Sequence, residues 1–197
     1  MKYLKSVLKR LMVFASLPNA LTILRIILTV PVVIALVNHD FYFALILFFL
    51  AGLTDGLDGW IAKRFNLQTR LGSILDPMAD KLLLVGSFIA LFLIDLIPLW
   101  FLSLVFLRDL MIVSGTVGYF MEPSSEKNEL LNPSNLSKFN TALQIFLVIF
   151  LVLNEIYPEL NDWRMIALIS VATSTILSGA DYIWIWTKQV FYNEKKK

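Results

Sequence analysis

Four aspartates, Asp55, Asp58, Asp76 and Asp80, stand in stretches that are otherwise strongly apolar. Asp55 and Asp58 are three residues apart and Asp76 and Asp80 are four apart, so in helices each pair lines one face. An ionised group inside a bilayer costs at least about 2.5 kcal/mol, so a cluster of four demands a counter-charge. Carboxylate oxygens suit hard divalent ions such as Mg²⁺ or Mn²⁺. One or two such ions would neutralise the cluster, bind a diphosphate and stabilise charge on a leaving phosphate. Lys63, Arg64 and Arg70, between the two pairs, offer cations for phosphate oxygens. Gly56, Gly59 and Gly72 remove side-chain bulk where a bound nucleotide would approach the backbone. The pattern points to metal-assisted phosphoryl chemistry at a membrane.

The elements that must position these acids are legible from hydropathy. The chain has 197 residues, 58% hydrophobic and 16% charged, with a mean hydropathy of +0.74; soluble domains are about a quarter charged. No cysteine is present, which excludes a thiolate metal site or a disulfide framework. Apolar runs of about 20 residues cross a bilayer as helices, and six are expected, over 19–37, 41–62, 74–95, 98–120, 138–156 and 164–186. One long bent helix across 74–120 is rejected, because about 45 apolar residues overshoot any bilayer. The short link between the second and third spans makes them antiparallel neighbours, so the two aspartate pairs can face each other.

Lys and Arg placement sets orientation. Basic residues mark the N-terminus (Lys2, Lys5, Lys9, Arg10), the second link (Lys63, Arg64, Arg70), the fourth (Lys127, Lys138) and the tail (Lys188, Lys195, Lys196, Lys197). The first and third links have none, and the fifth holds Glu155, Glu159 and Asp162 against a single Arg164. Both termini, and the aspartates, are therefore expected on the cytoplasmic side. Leu4, Val7, Leu8, Leu11 and Met12 fall at helical spacing among Lys5, Lys9 and Arg10, the pattern of an amphipathic helix lying on the leaflet. A signal peptide fits less well, because Lys9 and Arg10 interrupt the apolar run and Ser16-Leu17-Pro18 is a poor cleavage site. The expected all-α organisation is a leading interfacial helix (1–18), a six-helix membrane domain (19–188) and a basic tail (189–197). No Arg- and Ser-rich transit extension is seen, so a bacterial plasma membrane is the expected location.

Asp55-x-x-Asp58-Gly59-x-x-Ala62-Lys63, eight residues, then Gly72-x-x-x-Asp76-x-x-x-Asp80 resembles the signature of the CDP-alcohol phosphatidyltransferases. The one departure is Lys63, where that family usually has Arg; Lys carries the charge without the bidentate fork. Asn19, Thr22 and Arg25 are similar to a family element on the first span. The resemblance implies that Asp55, Asp58, Asp76 and Asp80 hold two ions, Mg²⁺ or Mn²⁺, and that Asp80 is also the general base. It implies a nucleotide and diphosphate site of Asn19, Thr22, Arg25, Gly59, Ala62, Lys63, Arg64, Arg70 and Gly72. CDP-diacylglycerol would be the donor and CMP the leaving group. A homodimer among membrane lipids is implied as well, with no nucleic-acid partner.

The acceptor alcohol should be read by the fourth and fifth spans. Arg108 and Asp109 lie inside an apolar span, and Lys138 and Asn140 follow in Ser137-Lys138-Phe139-Asn140-Thr141-Ala142-Leu143-Gln144. These stretches look most like the branch of the family that forms cardiolipin, whose acceptor is phosphatidylglycerol. Relatives that use glycerol 3-phosphate generally bear a further Arg where this chain has Thr116. A dianionic phosphate would profit from that cation more than a diester does. Arg108, Asp109, Lys138 and Asn140 are the expected acceptor residues, with glycerol 3-phosphate the alternative acceptor.

A cation channel or transporter could also use intramembrane acids, but transport does not explain the glycine spacing or the adjacent cations. The remaining features have plainer readings. His39 is a solvated loop residue, Asp95 ends the third span, Arg25 could snorkel to the surface, and Asp181 carries no assigned role. Trp100, Trp163, Trp184 and Trp186 suit interfacial anchoring.

Overall fold

A computed structural model describes the backbone of residues 2–64, 72–121 and 134–194, and side chains at 20–57, 64, 78–114, 134–160, 162–185 and 187. Every regular element among them is helical: α1 (Lys2–Val37), α2 (Phe41–Arg64), α3 (Gly72–Leu93), α4 (Leu99–Met121), α5 (Asn135–Ile156) and α6 (Arg164–Glu194), with a 3₁₀ turn at Pro158–Trp163. The chain divides into two compact units, Met1–Ile94 and Asp95–Lys197. In the first, α1 packs against both α2 and α3; in the second, α6 packs against both α4 and α5.

Two expectations about the ends change. The leading helix and the first span are one uninterrupted helix, α1. Pro18 lacks the N–H that would bond the Phe14 carbonyl, but one missing bond does not end a helix. At the other end α6 continues to Glu194, so residues 189–194 are helix rather than tail; no proline follows Pro158 to stop it. Lys195 to Lys197 lie outside the described residues.

The links have specific causes. Asp40 N–H bonds Ala35 O at 2.9 Å and His39 N–H bonds Leu36 O at 3.1 Å, the Schellman pattern that closes a helix. His39 takes the left-handed conformation this requires, with φ 60°, and its ring meets Phe41 edge-on at 5.6 Å. The sole histidine is therefore a helix stop. Ser134 caps α5, its Oγ accepting from Ser137 N–H at 3.2 Å, which explains why the helix begins three residues before the apolar run expected at 138. At the far end, Tyr157 N–H bonds Leu153 O at 2.8 Å, and Pro158 bars further helix. Arg164 donates to the carbonyls of Asp95 at 2.9 Å and Leu96 at 2.6 Å, satisfying backbone acceptors just before α4.

Packing runs opposite to that of a soluble bundle. Large apolar side chains point outward, among them Ile27, Phe49, Phe146 and Trp184, while Thr22, Arg25, Arg108, Asn140, Gln144 and Thr175 are buried. Such a surface suits lipid, where apolar side chains lose nothing by exposure and polar ones must turn inward. Three stretches are long and apolar enough to cross a membrane, Ala20–Val37, Asn135–Ile156 and Arg164–Ile185, and Phe41–Leu57 is a shorter apolar one. Small residues set close approaches: a Cβ added at Gly86 of α3 would lie 3.0 Å from Val33 Cγ2 and 3.3 Å from Thr29 Cγ2 on α1.

Candidate active site

Arg25 is the centre of the first unit. It lies on α1 with its side chain 1% exposed, and its Nη2 meets Asp55 Oδ1 of α2 at 2.7 Å. Its Nη1 donates to Asp80 Oδ1 of α3. One planar guanidinium thus joins an acid from each of two neighbouring helices, a geometry that Arg's fork permits and a single ammonium does not. Arg25 does not snorkel; it is fully buried. Both carboxylates are 47% exposed, so the pair closes on Arg25 from one side and looks outward on the other. Two half-exposed carboxylates thus share one cation, and among the described residues no group of three or more acids or histidines is placed to hold a metal ion.

Asp58 lies one helical turn after Asp55 on α2, and Asp76 one turn before Asp80 on α3; the side chains of both lie outside the described residues. The spacing therefore keeps each pair on one helix, as expected. A methyl added at Gly56, beside Asp55, would meet nothing within 4 Å among the described residues, so the space there is open. Thr22 is buried one turn from Arg25 on α1. Asn19 is on α1, Gly59, Ala62 and Lys63 are on α2, and Gly72 opens α3, with their side-chain surroundings outside the described residues. Arg64, the last residue of α2, is exposed. Arg70 lies outside the described residues altogether.

The second unit buries another cation. Arg108 of α4 is 6% exposed; its Nη1 donates to Asp109 at 2.7 Å, and its Nη2 to Ser137 Oγ of α5 and Ser178 Oγ of α6, each at 2.7 Å. The arginine stem lies on α6 at Gly179, where an added Cβ would make ordinary contact with Arg108 Cγ at 3.8 Å. Asn140 of α5 is buried, and its Oδ1 accepts from Thr175 Oγ1 at 3.1 Å. Lys138 is exposed; its neighbour Ser137 is the α5 residue that reaches Arg108. Ser137 and Gln144 lie in the stretch that carried the resemblance but had no role of their own there, and Thr175 and Ser178 escaped sequence reasoning. Hydroxyl and amide residues in apolar helices are ordinarily satisfied by their own backbone. The available signal was the one-turn spacing of Asn140 and Gln144, which puts two costly amides on one face of a lipid-embedded helix.

Comparison with known proteins accords with this arrangement. Residues 15–178 match the family model described as CDP-alcohol phosphatidyltransferase. The chain is 36% identical over 186 residues to a cardiolipin synthase (CMP-forming)/mitochondrial hydrolase fusion protein of Schizosaccharomyces pombe, covering 85% of this chain and 30% of that protein. It is 36% identical to the Homo sapiens cardiolipin synthase (CMP-forming), covering 68% of this chain and 48% of that one. A CDP-diacylglycerol–glycerol-3-phosphate 3-phosphatidyltransferase of Wigglesworthia glossinidia brevipalpis is 32% identical, covering 90% of this chain and 98% of that one. The chain thus spans from 30% to 48% of these two cardiolipin synthases, and nearly all of the bacterial relative. It belongs to the CDP-alcohol phosphatidyltransferase family, an enzyme family, which stands against the transporter reading.

Proposed function

We propose that this protein transfers a phosphatidyl group from CDP-diacylglycerol to a hydroxyl of phosphatidylglycerol, releasing CMP and forming cardiolipin. The acceptor oxygen bonds to the phosphorus that bears diacylglycerol, the bond from that phosphorus to the CMP oxygen breaks, and the hydroxyl proton passes to Asp80. The observation that carries the reading is the Asp55–Arg25–Asp80 bridge, which presents two half-exposed carboxylates from helices that also carry Asp58 and Asp76. Asp55, Asp58, Asp76 and Asp80 would hold two divalent ions, Mg²⁺ or Mn²⁺. Those ions, when bound, supply positive charge to the diphosphate. Arg25 fixes the spacing of Asp55 and Asp80, and Asp80 is the carboxylate that takes the proton. Arg64 and Lys63 meet the donor's phosphates at the end of α2.

The chain would sit in a bacterial plasma membrane as six spans with both termini cytoplasmic, functioning as a homodimer. At a rise of 1.5 Å per residue, α1 is about 54 Å long, longer than the roughly 30 Å hydrocarbon core. Its basic first half therefore runs outside that core. Phosphatidylglycerol is favoured by Thr116 and by a second unit that offers Arg108 as its buried cation. Glycerol 3-phosphate is the second reading, favoured by the near-complete coverage of the Wigglesworthia relative.

The test is purified protein in nanodiscs with CDP-diacylglycerol, Mg²⁺ or Mn²⁺ and each acceptor in turn, with CMP and lipid products followed by mass spectrometry. Phosphatidylglycerol should give cardiolipin and CMP, chelation should stop it, and Asp80→Asn should slow CMP release by about 10²- to 10⁴-fold. CMP release with glycerol 3-phosphate alone would sink the acceptor assignment. No metal-dependent release with either would sink the reaction.

A further inference from the structure

Between α5 and α6 runs a column of polar side chains at one-turn spacing. Ser137 and Ser178 meet at Arg108, and Asn140 and Thr175 pair one turn below. Gln144 follows one turn below that, 2% exposed. The single hydroxyl proton of Thr175 is shared between Asn140 Oδ1 and the Val171 carbonyl of its own helix, 2.7 Å away, so it has none to spare. What the column lacks is acceptors. Arg108 Nε, Asn140 Nδ2 and Gln144 Nε2 are all buried and have no hydrogen-bond partner among the described residues. Every one of them is an N–H donor. Buried donors are costly to leave unsatisfied, and native proteins rarely do so without a ligand, water or ion to receive them.

The depth of the column narrows the ligand. From Ser137 to Gln144 is seven residues, about 10 Å along the helix axis, starting in the first turn of α5, the end expected at the cytoplasmic surface. A cation at the top with neutral donors below matches a molecule carrying an anionic phosphate at headgroup level and neutral carbonyl oxygens beneath it. Glycerol 3-phosphate has a phosphate but nothing to extend downward. A diacylglycerol phosphodiester in a leaflet has its ester carbonyls below the phosphate, and those oxygens only accept.

We propose that the column is the seat of the acceptor lipid, with Arg108 Nε donating to a phosphodiester oxygen and the amides of Asn140 and Gln144 donating to acyl-ester carbonyls. This deepens the reading of phosphatidylglycerol as acceptor and rests on it. Gln144 and Asn140 then set specificity for a lipid over a water-soluble acceptor.

The experiment uses the full chain in nanodiscs of neutral lipid, comparing wild type, Gln144→Met and Asn140→Leu. Thermal denaturation is recorded alone, with phosphatidylglycerol and with glycerol 3-phosphate, and initial rates are measured over both substrates. Apolar replacement of an unsatisfied donor is neutral or stabilising, so Gln144→Met should keep or raise the ligand-free Tm. It should shrink the rise in Tm produced by phosphatidylglycerol. Its KM for phosphatidylglycerol should increase about five- to tenfold, with kcat and the KM for CDP-diacylglycerol unchanged. Asn140→Leu should also raise that KM, though its ligand-free Tm falls because Thr175 loses a partner. A Gln144→Met enzyme with lower ligand-free Tm and wild-type KM would make the column structural and overturn the proposal. So would stabilisation by glycerol 3-phosphate alone, or a lipid response unchanged in both variants. If wild type releases no CMP, the reaction fails, yet the Tm response to phosphatidylglycerol still reports on the column.

Discussion

Arg25 and Arg108 are both buried cations on helices that face lipid, but Arg25 is held by two carboxylates from other helices and Arg108 by its neighbour Asp109 and two hydroxyls. The difference lies in where surplus charge goes. Around Arg25 the surplus is negative: two half-exposed acids share one cation, and Asp58 and Asp76 lie one turn away along the same helices. Such a place attracts positive charge. Around Arg108 the surplus is in N–H donors, continued down α5 by Asn140 and Gln144. Such a place takes up oxygen. Two three-helix units solve the same problem, a cation in an apolar setting, with opposite partners, and the opposite leftovers suit opposite halves of a group-transfer reaction.

The contrast can be broken from either side. The largest effect is expected for Arg25→Met, which strands Asp55 and Asp80. It should cut CMP release by at least about 100-fold and lower the Tm in detergent by several degrees, because the two half-exposed carboxylates lose the cation that offsets their mutual repulsion. Arg25→Lys should recover part of the stability and little of the activity, since one ammonium cannot fork to both acids. An Arg25→Met enzyme with wild-type turnover would show the bridge to be incidental.

Arg108→Lys should act on the acceptor alone. Its three donors cannot reproduce the spread of the guanidinium to Asp109, Ser137 and Ser178, so the acceptor KM should rise about tenfold. The KM for CDP-diacylglycerol, measured in the same titration, should stay put. An equal change in both constants would erase the distinction between the two arginines.

Two smaller effects test the first unit's frame without touching its charges. Gly86→Ala forces Val33 or Thr29 to give way at contacts of 3.0 and 3.3 Å, and should cost about 1 kcal/mol, seen as a lower Tm. His39→Gly removes a side chain from a left-handed backbone position and should raise stability by about 0.5 kcal/mol. Turnover should be unaltered in both.

Much of the helix layout was readable because hydropathy breaks where the backbone breaks. Asn38-His39-Asp40 and Pro158 mark links that the structure keeps, and α2 to α5 begin and end within three residues of the expected spans. The ends were harder, because a helix leaving hydrocarbon loses its apolar signature without losing its hydrogen bonds, as α6 shows beyond residue 186. The aspartates were readable because carboxylates among apolar residues have few innocent explanations. Arg25's partners were not, since they lie 30 and 55 residues away and only helix packing brings them together. The roles of Ser137, Ser178 and Gln144 stayed hidden for another reason: a hydroxyl or amide in a helix carries no mark of which face it occupies until its neighbours are known.

The Asp55–Arg25–Asp80 bridge also bears on how the protein is made. Arg25 precedes both of its counter-charges in the chain, by 30 and 55 residues. A lone arginine is disfavoured at membrane depth, so α1 reaches its full stability only when α2 brings Asp55 and α3 brings Asp80. The same three residues that assemble the site thus tie the packing of the first helix to the arrival of the third.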